Sequence, residues 1–241
     1  MTGRAARTLA MTLIAVMILM IMCSAVSYAA SYKLPCKIKA NDSTHKITYK
    51  GKTVKRTIKG EGTEKYVLKS GSKYSFKKKS LYDGTASLTM KKKNGHIVLV
   101  KGIGDNGDKI TVRYTYKKGK LVKCVENRIY ADDELYKKGK MVSTVKTDKY
   151  GNLKKVVTKR TLTKFSGKID KSSDKVVFKN KYNGKYLHKT DIQYYVKEGK
   201  SWEQTYGDAR TYSYKSKKMS KKQYKKYKPI VDYIVRNSLI F

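Results

Sequence analysis

Residues 110–116 read Ile-Thr-Val-Arg-Tyr-Thr-Tyr, and this stretch decides the fold class. Apolar or aromatic side chains alternate strictly with polar ones, which is the period-2 pattern of a β-strand with one buried face. Residues 117–120 follow as Lys-Lys-Gly-Lys, in which glycine supplies the positive φ of a tight hairpin turn. The stretch therefore predicts a half-buried strand that ends in a hairpin.

Variants of this strand-and-turn unit recur along the chain. One hairpin per unit predicts an all-β fold over residues 31–216, an antiparallel up-and-down meander that forms either an open, curved sheet or a partial barrel. The meander would be an imperfect internal repeat. Turns are predicted at Gly119, Gly139, Gly151, Gly167, Gly184 and Gly199, which lie 12 to 20 residues apart.

Residues 148–156 read Asp-Lys-Tyr-Gly-Asn-Leu-Lys-Lys-Val and resemble the Tyr-Asp repeat of bacterial secreted RHS-type proteins. Units of that family read Tyr-Asp, two variable residues, Gly-Asn-Leu and then a strand. Thr147 stands where the tyrosine would be, and the Lys-Lys-Gly-Lys turns are one residue shorter. The resemblance implies a β-meander and no activity.

The C-terminal segment, residues 217–241, is predicted to be helical. Ser220 is a suitable N-cap, and apolar residues follow at spacings of three and four. Pro229 predicts one kinked helix or two short ones. The helix is expected to dock its apolar face on the sheet. Alternatively, it lies on an anionic surface through its early lysines, which include Lys221, Lys222, Lys225 and Lys226.

Residues 1–30 have the order of a secretory signal peptide. Arg4 and Arg7 precede an apolar stretch at residues 9–22, and small residues follow up to Ala30. Cleavage near Ala30 is expected, with an uncleaved anchor as the alternative because apolar character continues to Val26. The remainder is predicted to be secreted or extracellular, in association with the cell envelope, without a transmembrane span after processing.

The charge balance is extreme. Lysine and arginine number 57 against 18 acidic residues, a net charge of +39, which becomes +37 without Arg4 and Arg7. Such a charge attracts polyanions. Only six arginines follow residue 30. Because lysine is a hydrated point charge and lacks the planar fork that reads bases, sequence-specific nucleic-acid binding is disfavoured.

Two cysteines, Cys36 and Cys124, follow the predicted signal peptide. In an oxidising compartment they could form a disulfide that ties the N-terminal strand to the middle of the sheet. Two buried thiols are the alternative, and the sequence leaves both open.

No stretch carries a catalytic, metal or cofactor signature. His45, His96 and His188 lie far apart, whereas a metal site needs converging ligands. Residues 102–108 read Gly-Ile-Gly-Asp-Asn-Gly-Asp and are predicted to be a hairpin turn, because an alternating strand follows and the late glutamate of a calcium loop is missing.

Aromatic residues offer one candidate binding surface. Trp202, with Tyr194, Tyr195 and Tyr206 nearby, forms either a platform for a sugar or partner or an anchor in the core. The twenty-one tyrosines are expected mainly to cover a half-wet sheet, and stacking on single-stranded bases is the alternative.

Charge and export together predict a non-enzymatic protein that binds anionic polymers of the envelope or the extracellular space. One alternative is a hydrolase of envelope polymers with an acid pair drawn from Asp132, Glu134, Glu203 and Asp208. Another is a structural protein whose tyrosine-rich sheets associate with copies of itself.

Overall fold

The structure, a computed structural model, describes residues 32–39, 43–69, 73–80, 85–104, 106–205 and 210–240. The predicted signal peptide at residues 1–30 lies outside these ranges, as do Tyr206 and Asp208. The described chain forms fifteen strands and one helix. The strands are β1 (Tyr32–Lys39), β2 (Thr44–Lys50), β3 (Thr53–Ile58), β4 (Gly62–Leu68), β5 (Lys73–Ser80), β6 (Thr85–Lys93), β7 (His96–Ile103), β8 (Lys109–Lys117), β9 (Lys120–Ile129), β10 (Tyr136–Thr147), β11 (Leu153–Lys164), β12 (Ile169–Asn183), β13 (Tyr186–Glu198), β14 (Ser201–Gln204) and β15 (Arg210–Met219), and the helix is α1 (Lys221–Ile240).

Strand β8 confirms the alternation that predicts the fold. Val112 is buried and Tyr114 is half-buried, whereas Arg113 between them is exposed. The turn that follows contains Lys118 at φ 48° and Gly119 at φ 73°, and Lys117 pairs directly with Lys120. Positive φ at both central residues matches the right-handed twist of the flanking strands.

The predicted turn at Gly139 is wrong. Gly139 is buried within β10, opposite Leu162 of β11 and Arg128 of β9. A Cβ at this position would lie 2.8 Å from Tyr130 Oη and 3.0 Å from Leu162 Cδ2. Close packing of these neighbours therefore requires glycine there, and the chain reverses at residues 130–135 instead.

The antiparallel meander is confirmed, and the sheet closes into a barrel, which goes beyond the open, curved sheet or partial barrel that the sequence predicts. Strands β1 to β12 form a meander in which each strand pairs with the next. Strand β12 also pairs with β13, β13 pairs with β15, and β15 lies beside β1. Fourteen strands complete the ring, and β14 pairs with β13 outside it. Closure removes the exposed edges of the sheet.

Helix α1 begins where the sequence predicts, although β15 extends to Met219 and so shortens the expected helical segment. Ser220 and Gln223 form a capping box. The backbone N–H of Gln223 donates to Ser220 Oγ at 3.2 Å, and the backbone N–H of Ser220 donates to Gln223 Oε1 at 3.1 Å. One helix runs through Pro229, so two separate short helices are not formed. Among the described residues, no helix has both the length and the apolar character needed to cross a bilayer.

Helix α1 packs its apolar face on the sheet, as predicted, and it does so from inside the barrel. Ile230, Val231 and Ile234 are almost completely buried. The ring of Tyr233 meets Tyr66 of β4 at 6.2 Å and Tyr114 of β8 at 6.3 Å between centroids, so the helix contacts separate parts of the wall.

Two ends of the barrel can be distinguished. The turns that contain Gly51, Gly95, Gly119, Gly151 and Gly184 alternate with the other turns of the meander and form one end, which we call the upper end. Helix α1 enters there, since Tyr227 Oη donates to the Gly51 carbonyl at 2.8 Å.

Part of the tyrosine content serves the core. Among the described residues, six tyrosines are buried in the barrel interior. These residues are Tyr66, Tyr74, Tyr212, Tyr214, Tyr227 and Tyr233.

Candidate polyanion-binding surface

A row of three lysines crosses the outside of the barrel. Lys55 of β3 lies directly opposite Lys65 of β4, which lies directly opposite Lys77 of β5. All three side chains are exposed, because they alternate with inward residues such as Val54 and Tyr66. Directly opposed residues have Cβ atoms about 4.5–5.5 Å apart, and like charges at that distance are destabilising. We call these residues the lysine row.

The lysine row belongs to a larger cationic wall, the outward face of strands β2 to β9. Exposed lysines alternate there with threonines and serines such as Thr48, Ser75 and Thr89. No aspartate or glutamate points outward from these strands among the side chains that the structure describes. The exposed cations of the wall include Lys46, Lys50, Lys55, Lys65, Lys73, Lys77, Lys91, Lys101, Lys109, Arg113, Lys117, Lys120 and Lys123.

The acids of these strands point inward, where they are paired. Glu64 accepts from Arg56 Nε at 2.6 Å and from Tyr66 Oη at 2.7 Å. Burial would lower the pKa of Arg56, but Glu64 opposes it and the net shift is upward. Because these carboxylates lie inside the barrel, they do not neutralise the positive electrostatic potential of the outer lysines.

Three of the four arginines whose side chains the structure describes are engaged in ion pairs. Arg56 is buried, and Arg128 forms ion pairs with Asp108 and Glu126 at 3.3 and 3.0 Å. Arg160 pairs with Asp174. The cationic wall is therefore made almost entirely of lysine, which binds anions as a point charge without the bidentate geometry of arginine.

No family model, curated protein or solved structure matches the chain. The cationic wall is thus interpreted from its own geometry and charge.

The predicted aromatic platform is partly rearranged. Trp202 of β14 lies opposite Lys197, on the outward face that also carries Tyr195. Lys175 Nζ lies 4.0 Å from the centroid of Tyr195 and 5.0 Å from that of Trp202. Burial and then the nearby Lys155 lower the pKa of Lys175. Tyr194 faces the interior and packs on the core. The tyrosine beside Trp202 on the outward face is therefore Tyr195 and not Tyr194.

The helix lysines are separate from this platform. Lys221, Lys222 and Lys225 are exposed and Lys226 is half-buried, all in the first two turns of α1 at the upper end. Trp202 lies in the hairpin that follows β13, whose turn is at the opposite end. The structure therefore does not bring the two predicted groups together.

The sequence left two alternatives open for Cys36 and Cys124, and the structure contains no disulfide between them. Cys36 is on β1 and Cys124 is on β9, and even the shorter way around the ring places five strands between them. A disulfide needs Cα atoms within about 7 Å, whereas neighbouring strands alone are about 4.8 Å apart. Closure of the barrel thus keeps the two thiols on different parts of the wall.

The candidate catalytic acids that the structure describes, Asp132, Glu134 and Glu203, do not converge, and Asp208 lies outside the described residues. Asp132 and Glu134 are exposed in the loop after β9, whereas Glu203 is exposed on β14. Asp132 lines a cleft of about 390 Å³ at the lower end, but Glu134 and Glu203 do not. Within the described ranges no three metal-ligating side chains cluster, and His96 stacks on Tyr116 at 4.4 Å.

Sequence reasoning missed the lysine row because a row depends on strand register. Each of its members is an ordinary exposed lysine in its own strand. Alternation indicates that Lys55, Lys65 and Lys77 point outward, but only the pairing of β3, β4 and β5 places them side by side.

Proposed function

We propose that this chain is a secreted, non-enzymatic protein whose cationic wall binds linear anionic polymers of the cell envelope or its surroundings. The observation that carries the proposal is the lysine row, Lys55, Lys65 and Lys77, set in a wall without outward carboxylates among the described side chains. Export is proposed from residues 1–30, which have the charge, apolar stretch and small residues of a signal peptide.

The geometry suits a polymer laid across the strands. Neighbouring strands are about 4.8 Å apart, so such a polymer meets one ammonium group per strand along the row. Each anionic group relieves the repulsion between two lysines that face each other. The binding free energy of the anion is therefore more favourable on this surface than on the same number of scattered lysines.

The chemistry favours charge over sequence as the recognised feature. Lysine ammonium groups attract phosphates, carboxylates and sulfates through their charge, and the threonine and serine hydroxyls between them can donate further hydrogen bonds. Specific base contacts are made mostly by arginine and amide side chains. The wall has one exposed arginine, Arg113, so polymers of equal charge density should bind alike whatever their sequence.

Salt dependence tests the electrostatic basis of this proposal. The affinity of the full chain for linear polyphosphate should fall steeply between about 50 and 500 mM NaCl, because bound lysines release counterions. Three neutralised phosphates predict a slope of log affinity against log salt of about −2 or steeper. An affinity that is constant over this range would contradict the proposal.

A further inference from the structure

We propose that a cavity inside the upper end of the barrel binds a small amphipathic anion. This upper cavity has a volume of about 230 Å³ and lies between α1 and the barrel wall. Its lining comes from β1, from β15, from the upper turns and from one side of the helix. It lies in the interior, whereas the cationic wall faces outward, so the two proposals are independent.

The upper cavity is lined by a residue with an unsatisfied hydroxyl. Tyr214 of β15 lines the upper cavity, is only 8% exposed, and its Oη has no hydrogen-bond partner in the described part of the chain. A buried hydroxyl without a partner destabilises the folded state. Burial raises the pKa of Tyr214, so this hydroxyl remains a donor. A ligand that offers an acceptor oxygen would satisfy it.

The neighbouring polar side chains are already engaged. Lys228 of α1 forms an ion pair with Asp232 one turn later. Asn180 Nδ2 donates to the Leu153 carbonyl at 2.8 Å, and Asn152 Nδ2 donates to the Tyr182 hydroxyl at 3.0 Å. None of these contacts involves the Tyr214 hydroxyl, so a ligand oxygen that reaches it would compete with no existing hydrogen bond.

The upper cavity combines apolar walls with a cationic rim. Leu34, Leu121 and Val231 line the cavity and are buried. At its rim, Lys33 and Lys185 place their ammonium groups 5.2 and 5.7 Å from the centroid of the Tyr186 ring. An apolar ligand body would contact the leucines and valine, and an acid group would meet the two lysines.

Volume limits the ligand to a small one. A water molecule occupies about 30 Å³ in the liquid, so a cavity of about 230 Å³ has room for roughly seven waters. One ring with a short side chain is of this size. The class that fits size, walls, rim and the Tyr214 hydroxyl together is a small carboxylate with an apolar body and a second oxygen.

Calorimetric titration of the full chain with 3-(4-hydroxyphenyl)propionate tests the proposal. This probe has an apolar ring, a carboxylate for the rim and a phenol oxygen that can accept from Tyr214. Tyr214→Phe should weaken its binding about tenfold, the effect of one buried hydrogen bond. Tyr212→Phe is the matched control, because Tyr212 is buried on the same strand but does not line the cavity, and its affinity should equal that of the wild type.

A second measurement separates loss of the site from loss of the fold. Without the probe, Tyr214→Phe should unfold at a higher temperature than the wild type, since the substitution removes a buried hydroxyl that lacks a partner. A lower unfolding temperature would contradict this, because it would indicate that the hydroxyl already stabilises the protein.

Two further results would overturn the proposal. One is the absence of saturable binding by the wild type below about 10 mM probe. The other is equal affinity of wild type and Tyr214→Phe. The neutral amide of the probe should bind more weakly than the acid, and equal binding would refute the role given to Lys33 and Lys185. Replacing the outer lysine row should leave probe affinity unchanged.

Discussion

Replacing Lys55, Lys65 and Lys77 together by glutamine is expected to weaken the binding of linear polyphosphate about 100-fold at low salt. Each lysine near an anionic surface contributes about 1 kcal/mol, and the three lie in one row across β3, β4 and β5. The slope of log affinity against log salt should become shallower by about 2. Calorimetry or filter binding over a salt series measures both quantities.

A matched control for this variant removes the same charge elsewhere. Lys149, Lys168 and Lys200 are exposed and lie in three different turns. Their joint replacement by glutamine should weaken binding much less, because no member lies opposite another on a strand. Equal losses in the two triple variants would show that only total charge matters and would contradict a binding surface on the wall.

Stability provides a second readout for the lysine row. Lys65 faces one lysine on each side, so the glutamine variant removes two repulsive pairs, each worth roughly 0.2–1 kcal/mol. Its free energy of unfolding should equal or exceed that of the wild type. Weaker binding with a fold that is no less stable is the signature of residues that serve binding.

Glu64→Ala is expected to lower the free energy of unfolding by about 3–5 kcal/mol, a large part of the stability of an ordinary domain. Glu64 and Arg56 are 6% and 8% exposed, and the carboxylate accepts from both the guanidinium and Tyr66 Oη. Removing the carboxylate leaves a buried cation without its counterion beside Tyr66, which contacts α1 through Tyr233. Urea unfolding of the full chain measures the loss.

The double variant Arg56→Met, Glu64→Leu serves as the control. Replacing both charges by apolar side chains of similar size removes the desolvation cost as well as the attraction, so its stability should lie close to that of the wild type. A cost below about 1 kcal/mol for Glu64→Ala would show that water reaches Arg56, and would contradict the buried position of the pair.

Local structure was predictable from the sequence where a short pattern determines it. The alternation at residues 110–116 predicts β8, and Ser220 as an N-cap before apolar residues at spacings of three and four predicts the start of α1. The turn predicted at Gly139 was wrong because the sequence Lys-Lys-Gly-Lys, which forms a turn after β8, lies inside β10 at this second position. At Gly139, contacts with Tyr130 and Leu162 decide the conformation.

Closure of the barrel could not be predicted from these patterns. It depends on the pairing of β12 with β13 and on β15 beside β1, the latter between strands at opposite ends of the sequence. The number, tilt and stagger of the strands decide together whether a sheet closes. The same closure separates Cys36 from Cys124 and places α1 inside the sheet on which it docks.

Neither candidate site could be located from the sequence, because each depends on the three-dimensional structure. Total charge indicates polyanions, but the lysine row follows from strand register and the upper cavity follows from the position of α1. Tyr214 has no sequence signal that separates it from Tyr212, which is buried on the same strand. Only the cavity beside it distinguishes the two.

Lysine footprinting tests most directly whether the wall is the surface that holds the polymer. The full chain is acetylated with and without saturating polyphosphate, and the rate at each lysine is measured by mass spectrometry. We predict that polyphosphate slows acetylation at Lys55, Lys65 and Lys77 much more than at the exposed turn lysines Lys149, Lys168 and Lys200. Equal protection of the two sets, or protection of the turn lysines alone, would contradict the account.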